Sequence, residues 1–258
     1  MITKQSLDRL YRKHNRIEYV HPDPLEFLSR YPDLRDREIA GLIASSLAYG
    51  RVAQILKSAG AVLDRLGSSP HTFITGTPPR TFAALFAGFK HRVTTGADMA
   101  ELLTGIRKVV LEYGSLNECF LAGLDPRQQT ILEALARFTR ELACAEPHLI
   151  PNPERGSACK RLNLYLRWMV RKDAVDPGGW QGVPRGKLIV PMDTHMARIS
   201  RELGFTRRKS ADMAAALEVT AAFRAFAPRD PVKYDFALTR FGIHPGKRPD
   251  SLQHELRQ

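Results

Sequence analysis

Cysteine is scarce in this sequence, with three among 258 residues: Cys119, Cys144 and Cys159. Their odd number and wide spacing suit a reducing cytoplasm, and alone they cannot complete a four-cysteine zinc or iron–sulfur site. Long apolar runs are missing as well. None approaches the ~18 residues that a membrane span needs, and the charged N-terminal stretch lacks the apolar centre of a secretory signal. The eight histidines show no metal-ligand spacing. Internal repeats, low-complexity tracts and long period-2 alternation are also absent. The expectation is a soluble cytoplasmic protein with no membrane partner, no metal and no cofactor.

Acid is the minority charge. Lys and Arg number 39 against 27 Asp and Glu, a net charge of +12. The surplus is uneven: 19 basic and 16 acidic residues precede Pro151, while 20 and 11 follow Ile150. An excess on that scale points to a polyanionic partner, most often nucleic acid. The apolar share of 43% is globular, and the chain is long enough to bury a substantial core.

What is present is helical spacing. Ile39, Leu42, Ile43 and Leu47 form one stripe, and Val52, Ile55, Leu56, Ala59 and Leu63 form the next after a break at Tyr49-Gly50. Leu102, Ile106, Val109 and Val110 mark a helix ending near Gly114, and Ile131, Leu135, Phe138 and Leu142 mark another. Leu162, Tyr165, Leu166, Met169 and Val170 follow, then Met196, Ile199 and Leu203 up to Gly204. Ala214, Leu217 and Ala221, then Tyr234, Ala237, Leu238 and Phe241, close the series. The stretches from Pro70 to Pro79 and from Pro177 to Pro184 read as loops. The fold expected is all-α, with about ten interleaved helices.

One segment carries chemistry. Residues 188–204 deliver Asp193 from an apolar run to the first turn of an amphipathic helix, where Asp193 or Thr194 makes a good N-cap. The pattern of Pro191, Asp193, His195, Arg198 and Gly204 resembles the aspartate motif of the helix-hairpin-helix, Gly/Pro-rich, aspartate (HhH-GPD) superfamily of DNA glycosylases. Residues 42–63 are similar to that superfamily's early helix–loop–helix, with Tyr49, Gly50 and Arg51 in the loop that fills the hole left by an extruded base. Residues 156–167 resemble the second hairpin helix of the branch that removes oxidised guanine. Over nearly its whole length the chain also resembles a bacterial family of similar size, itself a remote relative of these glycosylases.

The resemblance implies a two-lobed helical fold with a cleft between the lobes. Residues 1–258 would form one unit, in which 39–150 supply the lobe with the base-gap loop and 151–245 supply the hairpin and the catalytic Asp. It implies a DNA base-excision glycosylase, with Asp193 as the essential carboxylate and Lys160 as the Schiff-base nucleophile of an AP lyase. An 8-oxoguanine-type purine is the lesion this branch suggests. Gly156, Ser157, Ala158, Arg161, Arg167, Arg171 and Arg198 would hold phosphates, Trp180 would stack on a base, and the partner would be damaged duplex DNA bound by a monomer. The 173–187 stretch would be an insertion between facing helices. His195 and the Tyr234-Asp235 pair read as structural. The alternative is a catalytically silent nucleic-acid-binding protein with the same fold.

Overall fold

Capping residues set where this chain turns into helix. The computed structural model describes residues 2–142, 148–243 and 251–257, so Cys144 lies outside the described residues. Thr3 opens α1 (Lys4–His14) through a capping box with Ser6. Asp33 caps α2 (Leu34–Ser46) by accepting from the amides of Arg35 and Asp36. After the expected break, α3 (Val52–Leu66) begins.

Residues 70–79 are not the loop that their prolines suggested. Pro70 is the first residue of α4 (Pro70–Gly76), and Pro79 is the first of α5 (Pro79–Leu85). Proline suits the first turn because the amide it lacks has no intrahelical partner there. A short antiparallel hairpin, β1 (Lys90–His91) with β2 (Thr94–Thr95), forms the only sheet among the described residues. Then come α6 (Gly96–Tyr113), α7 (Leu116–Leu121) and α8 (Leu132–Leu142). As its periodicity predicts, α6 stops at Gly114, in the left-handed conformation. The second half holds α9 (Lys160–Val170), α10 (Thr194–Glu202), α11 (Met213–Phe226), α12 (Asp235–Ile243) and α13 (Ser251–Arg257). The chain is predominantly helical, as expected. No helix among the described residues is long and apolar enough to cross a membrane.

The core is one continuous cluster that runs from Leu7 to Leu256. At its centre α2 is buried on every side from Glu38 to Ser46, as a helix without a polar face must be. It packs closely on α9, since a Cβ at Gly41 would sit 3.3 Å from the Tyr165 ring. On α11 the buried face differs from the predicted stripe. Ala214 and Ala221 are exposed, while Met213, Ala216, Val219 and Phe223 are buried. Alanine loses little on either side, so the larger apolar side chains decide which face turns inward.

The 173–187 stretch, which lies between α9 and α10, packs back onto the end of α9. The amides of Gly178 and Trp180 donate to the carbonyls of Trp168 and Met169 at 3.0 and 2.9 Å. Asp176 is completely buried. This loop closes the C-terminal end of α9 and seals the core behind it.

Candidate active site

A cleft of about 680 Å³ opens at the N-terminal ends of α9 and α10, a size typical of ligand pockets. Lys160 and Asp193 both line it, as do Tyr49 and Gly50. Lys160 is the first residue of α9, and Asp193 is the N-cap of α10. The two carboxylate oxygens of Asp193 have different tasks. Oδ1 accepts from the Met196 amide at 2.7 Å, and Oδ2 lies 3.6 Å from Lys160 Nζ. The lysine side chain is 33% exposed and the aspartate 13%, so the pair lies partly out of water.

Local backbone geometry aims the lysine. Cys159, just before it, adopts a left-handed conformation with φ of 46°, uncommon for a non-glycine residue. Its thiol donates to the Pro151 carbonyl at 3.2 Å, and its amide donates to Ser157 Oγ at 3.2 Å. Burial pushes that thiol up to about 11, so it remains protonated at neutral pH.

Tyr49, on one rim, is held from several sides. Its hydroxyl donates to the His91 carbonyl at 2.8 Å and lies 2.6 Å from Thr94 Oγ1. The Arg161 guanidinium stacks 5.0 Å from the ring centroid and donates to the Ser46 carbonyl at 2.6 Å. Burial lowers the His91 imidazole below its ordinary range, which keeps it neutral between Tyr49 and Ser58. Gly50 has φ of 96°, and a Cβ there would come within 2.7 Å of the Arg92 side chain, so only glycine fits. Arg51 and Arg92 are exposed beside this rim, and Val93 at the hairpin tip is 70% exposed.

The floor is ionic, which the sequence did not foretell. Lys160 and Arg167 share one face of α9, two turns apart, so the cleft descends about 10 Å along that helix. Arg167 donates through Nε to Asp176 at 3.1 Å and through Nη1 to Asp235. Arg171, a turn further, pairs with Asp173, Asp176 and Asp230. Both arginines are about 2% exposed, so neither reaches a phosphate, and that expectation is corrected. Their charge neutralises buried aspartates.

Trp180 is likewise unavailable to a base. It is buried against Phe120, Phe138 and Tyr165, and its indole donates to Glu38 at 2.9 Å. An amphipathic ring in a Pro-Gly loop looks solvent-facing in sequence, but a buried acceptor for its N–H draws it inward. The Gly156 amide is already committed to the Pro153 carbonyl at 2.9 Å, although the residue is exposed. Ser157 is half-buried and Ala158 buried, and both line the cleft. Arg198 points along α10 to Glu202 at 2.9 Å and is partly exposed.

Asp23, Asp235 and Arg240 also line the cleft, and sequence reasoning missed all three. Tyr234 is structural as expected, its hydroxyl donating to Asp8 at 2.8 Å. Its neighbour Asp235 faces the cleft. Burial pushes the Asp235 carboxyl up to about 6 against the pull of Arg167, and the nearby Asp193 adds to the rise. Arg240 donates to Asp23 at 2.7 Å and stacks on Phe236 at 4.2 Å. His195 also lines the cleft and presses on α12, since a Cβ at Gly242 would fall 2.2 Å from its Nδ1. Among the described residues, no three His, Cys, Asp or Glu side chains gather as a metal site.

This predominantly helical fold, with a lysine and an aspartate meeting at two helix starts, has a family. The model for the protein family of unknown function DUF2400 matches residues 23–244, and the chain belongs to that family. No curated protein and no solved structure matches it.

Proposed function

We propose that the protein is a DNA base-excision glycosylase of the HhH-GPD type, with AP lyase activity on a damaged base in duplex DNA. The observation that carries this reading is the approach of Lys160 Nζ to Asp193 Oδ2, 3.6 Å apart in a cleft bordered by Tyr49 and Gly50. A glycosylase must hold an extruded nucleotide and stabilise positive charge developing at the sugar C1′. The Asp193 carboxylate, fixed by its bond to α10, supplies that stabilisation.

Lys160, as the free amine, attacks C1′. The C1′–N bond breaks, and its electron pair leaves with the base, which takes up a proton. Asp193 lies in reach to accept the proton that the attacking nitrogen sheds. The amine then forms an imine with the opened sugar, and β-elimination expels the 3′ phosphate and nicks the strand. Arg51 and Arg92 beside the rim suit the flanking phosphates. Arg161 backs the Tyr49 ring, the surface offered to a base.

Borohydride trapping on duplex DNA carrying 8-oxoguanine or an abasic site tests this. Wild type is expected to form a covalent adduct, and Lys160→Gln to form none. Absence of an adduct from wild type on both substrates, with salt-sensitive DNA binding intact, would overturn the lyase reading in favour of a protein that only binds nucleic acid.

A further inference from the structure

Lys160, Arg161, Arg167 and Arg240 bring positive charge to the lining of the cleft. Three of them face acid. Lys160 lies 3.6 Å from Asp193, Arg167 pairs with Asp176 and Asp235, and Arg240 pairs with Asp23. Arg161 is the exception. Its contacts are the Ser46 carbonyl and the Tyr49 ring, and no carboxylate among the described residues pairs with it. It is half-buried, and burial lowers its guanidinium to about 10, which leaves it charged at neutral pH. A cation held partly out of water without an acid keeps an unmet charge, and an anion entering the cleft offsets it.

The guanidinium is set for one kind of anion. Nη1 is spent on the Ser46 carbonyl at 2.6 Å, and the Tyr49 ring braces the group at 5.0 Å. Nε and Nη2 donate to nothing in the described protein, and neither is closed to solvent, unlike Nη2 of Arg167. Those two nitrogens carry parallel N–H groups, the fork that receives two oxygens of a phosphate or carboxylate at once. Arg208 uses the same pair on Asp212, at 3.2 and 3.0 Å. No side chain caps the start of α9, so the positive end of that helix adds to the field around the fork. A base edge with paired acceptors also matches such a fork, but a neutral edge leaves the charge unmet.

We infer that Arg161 grips a phosphate of the extruded nucleotide itself, inside the cleft, through its free Nε–Nη2 fork. This rests on the glycosylase reading and adds a contact that neither the exposed rim arginines nor the Lys160–Asp193 pair makes. Lys160 and Arg161 are neighbours in the chain, with Cα atoms about 3.8 Å apart. A phosphate and the sugar that carries it are neighbours in the ligand, so gripping the one presents the other to Lys160. Because the fork is already anchored at Nη1, little freedom is lost when the phosphate binds.

Affinity is measured by fluorescence anisotropy on a duplex with a stable tetrahydrofuran abasic analogue, the phosphate on its 5′ or 3′ side being replaced in turn by a neutral methylphosphonate. For wild type, one of the two replacements is expected to raise Kd about tenfold or more, the weight of a charge-assisted contact. Arg161→Gln is expected to raise Kd on the unmodified duplex by a similar factor, and the same replacement then to cost it less than about twofold more. A variant that only loosens the fold does not produce such coupling to one phosphate. If Arg161→Gln does not fold, Arg161→Lys carries the same test, since it keeps the charge and lacks the fork. Factors that multiply at both positions, or a wild type indifferent to both replacements, overturn this inference and leave the glycosylase reading standing. No preference for the analogue duplex over an intact one, with no adduct trapped by borohydride, overturns both.

Discussion

The two ends of one helix use positive charge in opposite ways. At the start of α9, Lys160 faces Asp193 and is partly in water. Two and three turns on, Arg167 and Arg171 are sealed among Asp173, Asp176, Asp230 and Asp235. The mouth holds a side chain with one long contact to an acid, whereas the floor holds charges fixed by several bonds each. The difference teaches that a basic sequence is not automatically a basic surface. Part of this chain's excess of arginine is absorbed inside, and the remainder, at positions such as Arg51 and Arg92, faces outward.

Asp176 is shared by two buried guanidiniums, so Asp176→Ala is expected to cost about 3–5 kcal/mol in urea denaturation; a loss below about 1 kcal/mol would erase the distinction between floor and mouth. Asp193→Asn keeps a good N-cap and is expected to change stability by no more than about 0.5 kcal/mol. Its base excision, followed by single-turnover kinetics, should fall about a hundredfold or more, roughly 2.7 kcal/mol of transition-state stabilisation.

Glu38 sharpens the contrast from a third position. It is buried with no ion-pair partner among the described residues and is held by the amides of Leu116 and Asn117 and the Trp180 indole. Burial pushes its carboxyl up to about 7. The folded state therefore holds a proton that the unfolded chain has released between about pH 4.5 and 7, and stability falls as pH rises through that window. The slope from this group is at most about 1.4 kcal/mol per pH unit, and Glu38→Gln should remove it from a denaturation series run across the window. The smallest effect belongs to the surface. Arg51→Ala is expected to lower the slope of log affinity for DNA against log salt by about one, without changing the melting temperature.

Much of the helical framework was legible because periodicity is a local property. The stripes on α2, α3, α6, α8 and α9 can be counted from the sequence, and α6 stops where Gly114 says it should. Lys160 and Asp193 were legible for a similar reason, each sitting in a short segment with a recognisable order of residues. The floor was not. Asp235 is 68 residues from Arg167, and Asp230 is 59 from Arg171, and nothing local separates a buried ion pair from two solvated charges. The burial of Trp180 is hidden on the same account, since its partner Glu38 is 142 residues away. The helices of residues 70–85 are hidden in the sequence because proline reads as a stop where here it serves as a start.

The divided carboxylate of Asp193 has a mechanical consequence. One of its oxygens is tied to the first turn of α10, so the acid swings away only by giving up that cap, at about 1 kcal/mol. Through His195, the same turn abuts Gly242 on α12, the helix that begins with Asp235. The acid is therefore positioned by its own helix, and a ligand entering the cleft comes into register against it rather than the reverse.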